Sequence, residues 1–102
     1  LQNRYECSWW KSGSEQLLLN ALRRVLDVTL TTMLPMRMDV GDWILFSYNG
    51  LMVAHLAMYT GEGTMIHTFH PRLGVVEQPV EYRYWSSKVV GHGTLKEEFC
   101  GR

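Results

Sequence analysis

The sequence predicts an α+β fold in which one N-terminal helix packs on an antiparallel sheet. Apolar residues recur at helical spacing within residues 14–28, and short apolar runs with strand character follow between residues 39 and 95. Those runs are separated by turn signals, among them Asn49-Gly50 and Gly61-Glu62-Gly63. A helix followed by consecutive hairpins is typical of α+β domains, and 102 residues with 46% hydrophobic content are enough for one domain with its own core.

The helix is predicted over residues 14–28. Ser14 is suited to cap its N-terminus, because its hydroxyl can accept a hydrogen bond from an N–H group of the first turn. Arg23 and Arg24 lie towards the C-terminal end, where cations interact favourably with the helix dipole. The apolar stripe that would face the sheet consists of Leu18, Leu19, Leu22, Val25 and Leu26.

Antiparallel strands account for most of the remaining sequence. Pro35 ends any helical run, so we expect the helix and a linker to occupy residues 13–38 and a meander sheet to occupy residues 39–95. The segment PVEYRYWSSK is amphipathic and is compatible with one helical turn before the last strand. The strand segments are, in order, GDWILFSY, MVAHLAMYT, TMIHTF, VVEQ and KVVGHGTL.

Composition argues against two classes of partner. Lys plus Arg equals Asp plus Glu, so the chain lacks the basic excess that binding to nucleic-acid phosphates requires. No apolar run approaches the roughly 20 residues that a membrane span needs. The first ten residues have neither the positive region nor the apolar region of a signal peptide, which predicts synthesis in the cytoplasm.

His55 and His67 are the residues that point most directly to chemistry, because they flank the Gly-Glu-Gly turn on two adjacent strands. If that turn is a three-residue loop with Gly63 in the left-handed conformation, Thr60 pairs with Thr64. Both histidines then lie on one face of the hairpin as diagonal neighbours, roughly 7–8 Å apart at the backbone. A loop at residues 60–62 would instead place them directly opposite each other, and a two-residue loop would place them on opposite faces.

Two imidazoles on one sheet face have three interpretations. They can be ordinary surface or hydrogen-bonded core histidines. They can belong to a metal site that includes His67 and His70, although no carboxylate or cysteine completes an obvious tetrahedral set. In the third interpretation one imidazole is a general base and the other orients it. Trp85 is expected in the core or in the wall of a cleft.

Residues 39–95 resemble the NlpC-type papain-like cysteine peptidases, and in particular the branch found in phage tail modules and gene-transfer-agent clusters. The helix segment LLLNALRRVL and the preceding YECSWW also resemble that branch, more weakly. The shared pattern consists of Gly41-Asp42, His55, the glycine-bounded hairpin, His67, Val75-Val76-Glu77, and Trp85 before the last strand.

This resemblance implies a hydrolase that cleaves amide bonds in the stem peptides of bacterial peptidoglycan. A cysteine thiolate would attack, His55 would transfer the proton, and His67 would orient His55. Neither a metal nor any other cofactor is implied. The implied partners are the peptidoglycan peptide and either phage tail proteins or a second copy of the chain, with synthesis in the bacterial cytoplasm and association with a virion.

The nucleophile departs from the family pattern. The family places it at the start of a buried helix, in a motif of the type Asp-Cys-(Ser/Trp/Leu)-Gly-Leu-Val, where the helix N-terminus lowers the pKa of the thiol. Here Glu6-Cys7-Ser8 is similar, but the helix signal begins only at Ser14. Either Cys7 is the nucleophile or the nucleophile helix lies upstream of Leu1, and the second interpretation is favoured. No disulfide between Cys7 and Cys100 is expected.

A nucleophile outside this chain would have a structural consequence. Leu56, Met58 and Ile66 would lose the cover that such a helix provides and would need another partner. That partner could be a second chain that supplies the missing segment. The alternative is a truncated, catalytically inactive family member that acts as a structural or binding module of a phage tail, and a further alternative is a small histidine-based metal protein.

Overall fold

A computed structural model describes residues 14–35, 37–50, 52–70 and 72–100. Helix α1, Ser14–Val25, leads into a six-stranded antiparallel sheet. The strands are β1 Leu26–Leu30, β2 Trp43–Phe46, β3 His55–Tyr59, β4 Thr64–His70, β5 Gly74–Pro79 and β6 Val89–Leu95. The short helix α2, Arg83–Ser86, precedes β6, and a 3₁₀ turn, Glu97–Phe99, follows it. The predicted α+β class and the helical turn before the last strand are therefore confirmed.

The predicted helix over residues 14–28 is wrong at its C-terminal end. Helix α1 ends at Val25, and the next five residues form β1, so the sheet begins before the predicted boundary at residue 39. Leu26, Val28 and Leu30 alternate with polar residues, which is strand periodicity, and β-branched residues favour strands. Close pairing with β6 depends on glycine, because a Cβ at Gly91 would lie 2.7 Å from a backbone oxygen of β1.

The sheet is a meander only in part. Its strand order is β1-β6-β2-β3-β4-β5, so β2 to β5 follow one another as predicted, whereas β6 returns to lie between β1 and β2. The return path crosses the sheet through α2, where Trp85 packs against Phe46 of β2 with the ring centroids 5.2 Å apart. This contact draws the connection back across the sheet and places α2 over the central strands.

The central strands have two different faces. The histidine face, defined by the inward side chains of β2 to β5, carries the core cluster and the linker residues Leu34 and Met38 that cover it. The outer face carries Leu56, Met58 and Ile66, because side chains alternate along each strand. The buried members of the core cluster are Ile44, Phe46, Ala57, Met65, Trp85 and Val89.

Helix α1 lies over one part of the outer face. Leu22 and Val25 line an apolar cavity of about 230 Å³ together with Leu56 of β3 and Trp43 of β2. Further along the same face, Met58 and Ile66 are 36% and 38% exposed. In the residues that the structure describes, no helix is long and apolar enough to cross a bilayer.

Candidate active site

The hairpin between β3 and β4 sets the positions of the two histidines. Tyr59 pairs with Met65, and the N–H of Thr60 donates to the carbonyl of Thr64 at 3.1 Å. Gly63 has φ +81°, a conformation that side chains with a Cβ rarely adopt. The predicted three-residue loop, its register and its left-handed glycine are therefore confirmed.

His55 and His67 meet on the histidine face. Nε2 of His55 lies 2.8 Å from Nδ1 of His67, and the two rings are nearly perpendicular, with an interplanar angle of 76°. His67 is only 4% exposed, whereas His55 is half-buried. The arrangement gives an inner imidazole that is shielded from solvent and an outer imidazole that solvent reaches.

Gln78 extends the hydrogen-bond network from the inner imidazole. Its Oε1 lies 2.7 Å from Nε2 of His67, so both ring nitrogens of His67 are engaged. Gln78 is on β5 opposite Met65, which places it on the histidine face. The residues predicted from the sequence do not include Gln78, because its inward position depends on the long-range pairing of β5 with β4.

Trp85 closes the network from α2. Its indole Nε1–H donates to Oε1 of Gln78 at 3.1 Å. Its ring also stacks on His55, with centroids 4.7 Å apart and an interplanar angle of 20°. Trp85 is 1% exposed, so of its two predicted places, the core or the wall of a cleft, it occupies the core.

The electrostatic environment favours the neutral form of His55. Burial lowers the pKa of His55 below its ordinary value, and the adjacent His67 lowers it further. A neutral imidazole has a ring nitrogen that can accept a proton, which is the property required of a general base. Tyr48 borders this ring at a centroid distance of 6.4 Å and is 56% exposed, so the site opens to solvent on that side.

The sulfur atom of the predicted site lies outside the described residues. Cys7 belongs to the first thirteen residues, whose structure is not described, so its distance from His55 stays a prediction. Cys100 is exposed and follows the 3₁₀ turn, where its Sγ–H donates weakly to the carbonyl of Lys96 at 3.6 Å. Its described contacts are with the C-terminal end of β6 and its flanking residue, and not with either histidine.

The geometry disfavours the metal interpretation. His67 uses one ring nitrogen towards His55 and the other towards Gln78, so a metal ion could bind His67 only by displacing one of them. Among the described residues, no three His, Cys, Asp or Glu side chains are grouped as a metal site would require. The side chain of His70, the other ligand considered, is outside the described atoms.

This chain is similar to known proteins in both sequence and fold. The NlpC/P60 family model matches residues 10–94. The chain is also similar to a crystal structure of an NlpC/P60 family protein from Bacillus cereus ATCC 10987, with 27% sequence identity and a TM-score of 0.53. That match covers 63% of this chain but only 22% of the other, so this chain corresponds to a small part of that protein. No curated protein matches this chain.

Proposed function

This chain belongs to the NlpC/P60 family, and from that premise we propose that it acts as a cysteine peptidase on the stem peptides of peptidoglycan. The observation that carries the proposal is the 2.8 Å contact between Nε2 of His55 and Nδ1 of His67 on one sheet face. A half-exposed imidazole held by a buried one is the arrangement that a base and its orienting residue need. Family membership is consistent with a cell-wall peptidase.

In the proposed reaction His55 first accepts the proton of a cysteine thiol. The thiolate then attacks the carbonyl carbon of a stem-peptide amide, and His55 returns the proton to the nitrogen as the C–N bond breaks. The resulting thioester is hydrolysed by water, whose proton His55 accepts and passes back to the departing sulfur. His67 touches no reacting atom and acts by holding the ring of His55.

Cys7 is the candidate thiol within this chain, although the family pattern favours a nucleophile on another segment. It is one of two cysteines in the chain, and Glu6-Cys7-Ser8 is the segment that resembles the family motif. Cys100 is the matched control, since its described contacts lie at the C-terminal end of β6. The alternative is that another segment or another chain brings a thiol to His55. Comparing the activities of C7S and H55Q distinguishes the two sources of the thiol.

A non-catalytic role in binding is the second candidate function. It is favoured by the partial exposure of Met58 and Ile66 side by side on the outer face, together with Val75 at 69% exposure on β5. Apolar surface of this kind is common at protein interfaces. Membership of the phage-tail branch and partnership with phage tail proteins are predictions from the resemblance.

Mass spectrometry of purified peptidoglycan stem peptides incubated with the protein tests the proposal. We expect the wild type to release a shorter peptide, and we expect C7S and H55Q to lower the rate by about 10² or more, as loss of a nucleophile or base does. C100S and H92Q, which change a thiol and an imidazole elsewhere, should retain the wild-type rate.

Each other outcome has a defined meaning. Full activity in H55Q would overturn the proposed reaction. Full activity in C7S, with loss in H55Q, would retain the peptidase and assign the thiol to another segment. Binding of the peptides without any hydrolysis by the wild type would overturn catalysis and support the binding role.

A further inference from the structure

We propose that Gln78, oriented by Trp85, is the positioning residue that selects the tautomers of both histidines and leaves Nδ1 of His55 as the basic nitrogen. The inference rests on the proposed function for its catalytic meaning, but its structural content can be measured without any substrate. It depends on one property of the network, which is that tryptophan can only donate.

The indole of Trp85 determines which way the amide of Gln78 points. An indole N–H has no lone pair to accept with, so its partner at 3.1 Å must be the carbonyl oxygen of Gln78 and not the amide nitrogen. If the amide were rotated by 180°, an NH₂ group would face the indole N–H, donor against donor. Trp85 therefore excludes the rotated amide, which geometry alone does not distinguish.

The oriented oxygen then determines the state of His67. Oε1 of Gln78 only accepts, so Nε2 of His67, 2.7 Å away, carries a proton and donates it. A neutral imidazole has one proton on its ring nitrogens, which leaves Nδ1 of His67 with a free lone pair. That lone pair faces Nε2 of His55 at 2.8 Å.

The same rule fixes His55. Its Nε2 must be the donor to Nδ1 of His67, so the neutral ring of His55 has its lone pair on Nδ1. The rotated amide would reverse every step: it would donate to His67, His67 would donate to His55, and Nδ1 of His55 would be protonated. In that state His55 could not accept a proton from a thiol.

Burial makes the selection stringent. His67 and Trp85 are 4% and 1% exposed, so water has little access to replace a lost partner. A buried donor or acceptor without a partner is costly, and the free energy difference between the two tautomers is therefore large compared with thermal energy. The stacking of Trp85 on His55 at 4.7 Å adds control of the ring plane.

The direct test is a long-range ¹H–¹⁵N correlation experiment on protein with labelled histidine, since the two ring nitrogens differ in shift according to which one is protonated. In the wild type above pH 7 we expect both His55 and His67 to carry the proton on Nε2. W85F keeps an aromatic ring on His55 but removes the donor, so the amide can rotate and the correlations should show a mixture of tautomers. Y84F, which changes the adjacent residue of α2, is its matched control.

Variants of Gln78 provide a second measurement. Q78L should also give mixed tautomers, and Q78E should keep the wild-type tautomers because a carboxylate accepts from His67. The carboxylate should in addition raise the pKa of His55, which moves the acidic limb of the pH–rate profile to higher pH. E77Q, one position away on the outer face, should change neither property.

The kinetic expectation concerns kcat. We expect Q78L to lower kcat about tenfold and W85F at least about twofold, with KM little changed, because neither side chain needs to touch substrate. Wild-type spectra with the proton of His55 on Nδ1 would overturn the inference, as would unchanged tautomers in folded W85F and Q78L. Expected tautomers in a protein without peptidase activity would overturn the proposed function and leave this inference intact.

Discussion

The two faces of strands β3 and β4 arise from the same alternating sequence but differ in how far their side chains are buried. On the histidine face, Ala57 and Met65 are fully enclosed and His67 is buried with partners for both ring nitrogens. On the outer face, Met58 and Ile66 are more than one-third exposed. This small sheet therefore concentrates its tight packing on the side that carries the polar network.

There is a physical reason for that distribution. A buried imidazole is tolerated only where its hydrogen-bond partners are held in place, because an unmatched polar group in the interior costs free energy. Close packing around Trp85 supplies that constraint for His67 and Gln78. The side-chain hydrogen bonds of the outer face join Thr60 to Thr64 and Thr64 to the exposed carboxylate of Glu77, so solvent can reach them and this face can remain open.

The largest expected effect is a loss of stability when a methionine of the histidine face is truncated. The same truncation on the outer face should have a smaller effect. M65A removes a fully buried side chain and should lower the free energy of unfolding by about 2–5 kcal/mol. M58A changes the same residue type on the adjacent strand but on the outer face, and should cost less than about 1 kcal/mol. Urea denaturation of both variants measures the difference, and equal losses would contradict the asymmetry between the faces.

A smaller loss of stability is expected at the loop between β3 and β4, which sets the register and so determines which residues lie on each face. Gly63 has φ +81°, and a Cβ added there would meet no atom within 4 Å, so G63A introduces backbone strain without a clash. We expect a loss of roughly 1–2 kcal/mol, the cost of a left-handed conformation with a Cβ. The control is E62A, which changes an exposed residue of the same loop and should be nearly neutral in thermal unfolding. Stability of G63A equal to that of E62A would show that the turn does not constrain the register.

The smallest expected effect is the contribution of His55 to the pH dependence of stability, compared with that of His92 on β6. The pKa of His55 is lowered in the folded state, so the neutral form is favoured by folding. Its contribution to stability is complete above the unfolded value of about 6.5 and is lost as pH falls through the lowered pKa. Urea unfolding at pH 5 and pH 7.5 should show a smaller pH difference in H55Q than in the wild type. The same change in H92Q would assign the dependence elsewhere.

Turn chemistry made the histidine pair predictable. The loop with Gly63 determines the hairpin register, and the register determines which side chains share a face. Local sequence was therefore sufficient to predict that His55 and His67 lie on the same face. Gln78 and Trp85 could not be assigned in the same way, because their contacts depend on where β5 and α2 lie relative to β3. Such contacts are long-range, and no local pattern in the sequence specifies them.

The missed strand has a related cause. Residues 26–28 continue the apolar stripe of the helix and also begin an alternating pattern, so both periodicities are present at once. Pairing with β6 decides between them, since Leu26 lies opposite Leu95 and the glycines of β6 permit close approach. Tertiary contacts therefore override the helical signal at this point.

The direct junction of α1 and β1 has a mechanical consequence. Val25 and Leu26 are consecutive, with no loop between helix and strand, and the carbonyl of Val25 accepts a hydrogen bond from the N–H of Lys96 at 2.8 Å. The C-terminal end of the helix is thus attached directly to the edge strand β1. A rotation of the helix about this junction would disturb the pairing of β1 with β6.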